Sequence, residues 1–130
     1  MDTSRILVAV IDDDQDDLEI MEQVIHGLHT GIVCDLYIRP KEGVEKIIAA
    51  PETKRPTHIF IDINMPGLSG DKCLKIFRGN SDFDDVRIIM YSTSMPEKTT
   101  QQLLGAGANF VFEKPVRIKD YAEILEDLLR

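Results

Sequence analysis

Asp12, Asp13, Asp62, Ser92 and Lys114 are the residues of this chain whose types and settings could do chemistry together. Each stands at the end of a short apolar run: RILVAVI leads into Asp12 and Asp13, HIFI into Asp62, VRIIMY into Ser92 and Thr93, and NFVF into Glu113 and Lys114. If those runs are parallel strands of one sheet, three carboxylates, a hydroxyl and an ammonium meet at its carboxyl edge, where ligands bind in open α/β sheets. Clustered carboxylates resist joint ionisation, so such a group needs raised pKa values or a cation. A hard, oxygen-seeking ion such as Mg2+ suits them, because it takes few protein carboxylates, keeps several waters and shares a phosphate oxygen. A carboxylate beside Mg2+ and a lysine is equipped to attack phosphorus, with the hydroxyl donating to an equatorial oxygen. Taken singly, Ser92 reads as a helix cap and Lys114 as a solvated lysine; only their convergence at strand ends favours chemistry.

The elements that must position these groups follow from hydrophobic spacing. Arg5 to Ile11 is a short apolar run of the kind that forms a strand buried on both faces, and Val33 to Ile38, His58 to Asp62, Val86 to Tyr91 and Asn109 to Phe112 read as four further strands. Between and after them, apolar residues recur at helical spacing: Leu18, Met21, Val24, Ile25 and Leu28; Val44, Ile47 and Ile48; Cys73, Leu74, Ile76 and Phe77; Leu103 and Leu104; Tyr121, Ile124, Leu125, Leu128 and Leu129. Gly31 stops the first helix, while Pro40 and Pro96 open the second and fourth. PETKRPT, NMPGLSG and GNSDFDD are loops. Five strands alternating with five helices predict a doubly wound (βα)5 α/β domain with helices on both faces of a parallel sheet. In the acidic run VIDDDQDD, Asp12 and Asp13 belong to the strand end, Asp14 to the turn as an N-cap or outer charge, and Asp16 and Asp17 to the first helical turn, where they complement the helix dipole.

Composition narrows the function classes. A chain of 130 residues with 43% hydrophobic and 29% charged content suits one globular domain, here 1–130, without linker or repeat. A net charge of -8 repels phosphate backbones and argues against nucleic-acid partners. No apolar stretch has the length of a membrane span and the start lacks a basic leader, so the expected address is cytoplasmic, with no membrane partner. Cys34 and Cys73, far apart and without a CxxC partner, read as free thiols.

With Asp12 and Asp13 after an apolar strand, Asp62 in FIDINMPGLSG, Ser92 in IIMYS, and Lys114 with Pro115 in GANFVFEKP, the sequence resembles the receiver domain of two-component response regulators, of the stand-alone, chemotaxis-regulator type. The resemblance runs from about Arg5 to the C-terminus. It implies a flavodoxin-like fold with strand order 2-1-3-4-5. It also implies that Asp62 is the phosphoacceptor, supplied by a sensor histidine kinase, a histidine phosphotransfer protein or a small phosphodonor. Asp13, Asp62 and the Asn64 backbone carbonyl would hold Mg2+, with Asp12 acting through a bound water; Ser92 and Lys114 would hold the phosphoryl oxygens. The bond from Lys114 to Pro115 would be cis. Asn64 and Ser94 would tune how fast water reaches the acyl phosphate. Reading no output domain, we expect a signalling switch rather than an enzyme. It would act on an unknown downstream protein or relay the phosphoryl group, as a monomer or a weak phosphorylation-dependent dimer.

Two positions depart from the family pattern. Val111 stands where receivers carry a mobile aromatic residue, and its stiff side chain cannot make the same swing. Thr93 stands where a small residue is usual. Two other functions use similar residues. A haloacid-dehalogenase-like small phosphatase also attacks with a strand-end aspartate, but needs an acid two residues later, where this chain has Asn64. A pseudo-receiver scaffold would bind partners regardless of phosphorylation. His26 and His29 lack a third metal ligand nearby, His58 reads as locally satisfied, and Tyr91 reads as a sheet residue able to reach a partner surface near the fourth helix.

Overall fold

A computed structural model describes residues 6–29 and 31–130. Its strands are β1 (Leu7–Ile11), β2 (Val33–Tyr37), β3 (His58–Asp62), β4 (Arg87–Ser92) and β5 (Phe110–Glu113). The helices between and after them are α1 (Gln15–Leu28), α2 (Pro40–Ala49), α3 (Gly70–Arg78), α4 (Glu97–Gly105) and α5 (Ile118–Leu128). All strand pairs are parallel, in the order β2-β1-β3-β4-β5. This is the expected five-stranded arrangement. Arg5, the expected start of the first strand, lies outside the described residues.

Strand parity divides the core in two. Ala9, Ile11, Ile59, Ile61, Ile88 and Met90 pack against Val44 and Ile47 of α2, Leu74 and Phe77 of α3 and Leu103 of α4. Val8, Val10, Phe60, Ile89, Tyr91 and Phe112 pack against Leu18, Met21 and Ile25 of α1 and Tyr121 and Leu125 of α5. Because both faces of the sheet are covered, β3 is buried along its whole length. The central strands therefore read as continuous apolar runs, whereas the edge strands β2 and β5 keep exposed positions.

Several boundaries differ from the sequence reading by one residue. β4 and β5 both begin and end one residue later than expected, since their ladder extends to Ser92 opposite Glu113. Pro96 is the N-cap of α4 rather than its first residue, and Gly105 is its last. The PETKRPT and GNSDFDD loops each contain a 3-10 turn, Glu52–Lys54 and Ser81–Phe83. Every peptide bond among the described residues is trans, which corrects the cis expectation for Lys114 to Pro115. Trans is the lower-energy form even before proline, by roughly 0.5–1 kcal/mol. The Lys114 N–H donates to the Ser92 carbonyl at 2.7 Å with the bond in this form.

Candidate functional site

β1, β3 and β4 end side by side, so the residues at their carboxyl termini share one edge. Asp12 follows β1, Asp62 ends β3 and Ser92 ends β4, and all three are buried. Gly70 allows this end of β3 to pack closely. A Cβ there would overlap the Asp62 carbonyl oxygen and sit 2.7 Å from Ile63 Cα. Three residues earlier in the preceding loop, the chain turns through Gly67 at φ +85°, a conformation that favours glycine.

Asp12, Asp13 and Asp62 each offer a carboxylate oxygen within 4.8 Å of the others. Three oxygen donors in that space, on side chains at least partly withdrawn from water, form a donor set suited to a hard divalent cation. Both oxygens of Asp12 are already engaged. Oδ1 accepts from the Asp14 N–H at 3.0 Å and Oδ2 from the Tyr91 hydroxyl at 2.7 Å. Asp62 is held less closely, by the Asn64 N–H at 3.4 Å and the Lys114 ammonium at 3.5 Å, and is freer to turn toward an ion. Burial, and then the charge of Asp12, push the Asp62 carboxyl up to about 7; burial also raises that of Asp12.

Lys114 brings the compensating charge from the end of β5. Its Nζ lies 3.5 Å from Asp12 Oδ2, 3.5 Å from Asp62 Oδ2 and 2.6 Å from Asp17 Oδ2. Burial pulls the ammonium's pKa down, but the bond to Asp17 and the charges of Asp12 and Asp62 outweigh it and hold the pKa above its ordinary value. Opposite, the Asn64 side-chain amide donates to Ser92 Oγ at 2.8 Å, and the Asn64 N–H leans toward Asp62 Oδ1 at 3.4 Å. Asp62 is thus bordered by carboxylates and the ammonium, with the hydroxyl and amide at the neighbouring strand end.

The remaining expected residues sit farther out. Thr93 and Ser94 are exposed, and the Ser94 N–H approaches Ser92 Oγ at 3.5 Å. Pro115 is half-buried after the lysine. Val111 is half-buried against the core on the α2, α3 and α4 side, while its neighbour Phe112 packs through the opposite face. His58 is satisfied locally, its Nδ1 2.8 Å from Thr57 Oγ1, with burial lowering its pKa. Cys34 and Cys73 are free thiols, pushed up to about 12 and about 11 by burial.

Two residues of the site were not legible as such. Asp14 is the N-cap of α1, accepting from the Asp16 and Asp17 N–H groups, but Asp17 also turns its carboxylate onto Lys114. Only Asp16 fits the dipole role alone. Tyr91 is fully buried, stacked on Phe112 at 5.4 Å between ring centres, with the Lys114 ammonium 5.0 Å over its ring. It reaches no partner surface, because alternation along β4 aims it, with Ile89, toward α1 and α5. Replacing Tyr91→Phe leaves buried Asp12 Oδ2 one donor short. The expected loss is about 1–3 kcal/mol at pH 8, read as a lower urea midpoint without Mg2+; an unchanged midpoint would assign the hydroxyl no stabilising part.

Sheet order and a carboxyl edge that gathers acids around one lysine define a flavodoxin-like α/β domain with an acidic site. Residues 8–126 match the response regulator receiver domain, and the chain belongs to that family of two-component signalling proteins. It is 24% identical over 141 residues to the two-component response regulator ORR4 of Oryza sativa subsp. indica, covering 98% of this chain and 61% of the rice protein's length. It is 28% identical over 114 residues to a chemotaxis protein CheY homolog of Campylobacter jejuni, covering 88% of each. In fold it is similar to the chemotaxis response regulator CheY4 of Vibrio cholerae, with a TM-score of 0.81 and 21% identity over 95% of this chain and 98% of that one. Among the described residues, no helix is long and apolar enough to cross a membrane.

Proposed function

We propose that this receiver accepts a phosphoryl group on Asp62, in a Mg2+-dependent reaction, from a sensor histidine kinase or a histidine phosphotransfer protein. The observation that carries the reading is the setting of Asp62, whose carboxylate lies among Asp12, Asp13 and Lys114 at one strand edge. An Asp62 oxygen forms the new bond to phosphorus as the bond from phosphorus to the donor nitrogen breaks, and the leaving imidazole takes up a proton. Asp13, Asp62 and the Asn64 carbonyl would hold Mg2+, with Asp12 acting through a water because both its oxygens are engaged. When bound, the ion neutralises charge on the transferring group. Ser92 and Lys114 take the phosphoryl oxygens. Asn64 and Ser94 flank the path of the hydrolytic water, with exposed Thr93 beside them.

The downstream act is a change of protein contacts or onward relay of the phosphoryl group. Leu104, Phe110, Val116 and Ile118 expose apolar side chains on α4, on β5 and around the start of α5, which supports a contact surface there, including weak pairing of two copies. With Val111 in the aromatic position of other receivers, a switch at this face, with Pro115 beside it, has to run without that side chain's swing.

Incubation with Mg2+ and phosphoramidate or acetyl phosphate is expected to add one labile phosphoryl group by intact-protein mass spectrometry, and none after Asp62→Asn. The same gain in that variant, or no gain with any donor, would overturn the reading. Membership of the receiver family takes the place of the haloacid-dehalogenase-like alternative. A scaffold role would be favoured only by partner binding indifferent to phosphorylation.

A further inference from the structure

Asp17 has no part in the phosphoacceptor reading, yet it holds Lys114 more closely than either strand-end carboxylate does. Its Oδ2 is 2.6 Å from the Nζ, against 3.5 Å for both Asp12 and Asp62. The pair is withdrawn from solvent, with side-chain exposures of 9% for Lys114 and 21% for Asp17. Its geometry is set from both ends. The Asp17 N–H, in the first turn of α1, is capped by Asp14 Oδ1, and the Lys114 N–H is bonded to the end of β4. The ammonium itself lies over the Tyr91 ring. A helix and a sheet edge thus hold the lysine between them.

We propose that Asp17 is a positioning residue that acts through Lys114 and sets how strongly the lysine holds a phosphoryl group on Asp62. The inference rests on the phosphoacceptor reading of that residue. An ammonium has three N–H donors. With one committed to Asp17, the other two face the Asp12 and Asp62 side, which is where phosphoryl oxygens arrive. The Asp17 charge also offsets part of the ammonium's charge at that point. A phosphorylated aspartate carries more negative charge than a free one, so an extra fixed anion a few ångströms away weakens its retention, while strengthening the hold on a cation. Asp17 thereby favours the metal-loaded, unphosphorylated state over the phosphorylated one.

The test compares Mg2+ alone with beryllofluoride at saturating Mg2+, each titrated by calorimetry into wild type, Asp17→Asn and Asp17→Glu. Asparagine keeps an acceptor for the ammonium and removes the charge. It is expected to bind beryllofluoride about tenfold more tightly and Mg2+ about threefold more weakly, with glutamate returning both toward wild type. Opposite signs for anion and cation are the signature of a charge effect, because a damaged site would weaken both. Changes smaller than about twofold in both titrations, or weakening of both, would overturn the inference. Wild-type protein that takes neither beryllofluoride nor a phosphoryl group would overturn the phosphoacceptor reading and this inference with it. Wild-type binding that Asp17→Asn leaves unchanged would overturn this inference alone.

Discussion

Without Mg2+, raising the pH from 5 to 8 is expected to lower the thermal midpoint of the wild-type protein, and to leave Asp62→Asn higher than wild type at the alkaline end. The sign follows from the Asp62 carboxyl, which titrates near 3.8 in the unfolded chain but is pushed up to about 7 in the folded one, by burial first and then by Asp12. Between those values the folded protein binds the proton that the unfolded chain has released. Stability associated with this group is therefore complete below 3.8 and is lost as pH rises to about 7. The full shift sets a ceiling of about 4 kcal/mol, and coupling to Asp12 and Lys114 makes a loss on the order of 2 kcal/mol the expected size. Asparagine pays no such cost. Nor does it strand Lys114, which keeps Asp17 at 2.6 Å and Asp12 at 3.5 Å. Mg2+, held by the ionised cluster as proposed, should restore much of the wild-type loss at pH 8. Calorimetric scans of both proteins across pH, with and without Mg2+, measure this directly. Parallel pH profiles for wild type and Asp62→Asn would show that the acidic edge stores no such strain.

Arg78→Ala is expected to cost about 3 kcal/mol while leaving uptake of a phosphoryl group intact. The Arg78 guanidinium donates to the carbonyls of Gly107, Phe83 and Val86 and to the Asn109 side-chain oxygen, all at 2.8 to 2.9 Å. Asn109 Oδ1 also accepts from the Ile88 N–H, so one planar fork ties the end of α3 to the loops that start β4 and β5. Gly107, at φ +112°, brings its backbone against the arginine stem, where a Cβ would lie 2.9 Å from Arg78 Cγ. Truncation takes the donor from the Gly107 and Val86 carbonyls at once, while the Phe83 carbonyl keeps the Val86 N–H at 3.1 Å. Lysine recovers little, because a compact ammonium cannot reproduce the fork. The predicted fall in thermal midpoint is roughly 10 °C. Because these loops lie at the amino edge of the sheet, opposite Asp62, the phosphorylation assay separates this stability effect from chemistry. A fall under about 3 °C would mean that water replaces the arginine without loss.

Arg78 also marks where sequence reading stops. Its partners are mostly backbone carbonyls, which carry no residue-type signal, and they come together only when two loops converge on the end of α3. Asp17 and Lys114 are separated by 97 positions, and Asp17 has a sufficient local explanation in the helix dipole. Nothing local distinguishes it from Asp16, and the choice between them is made by the rotation of α1 against the sheet. Tyr91 was ambiguous for a similar reason. A buried strand is apolar on both sides, so type alone does not say which way an aromatic residue points.

What the sequence determined by itself was the fold class and the membership of the site's strand-end core. Apolar runs of strand length alternating with helical periodicity admit few topologies, and a parallel sheet sends every strand's end to the same edge, so Asp12, Asp13, Asp62, Ser92 and Lys114 had to meet. What only the tertiary structure decided was how those groups are engaged: Asp12 by Tyr91, Ser92 by Asn64, and Lys114 by Asp17. Hydrogen bonds of 2.6 to 2.8 Å depend on ångström-scale placement of a helix turn and of strand parity, and residue types along a chain do not specify distances on that scale.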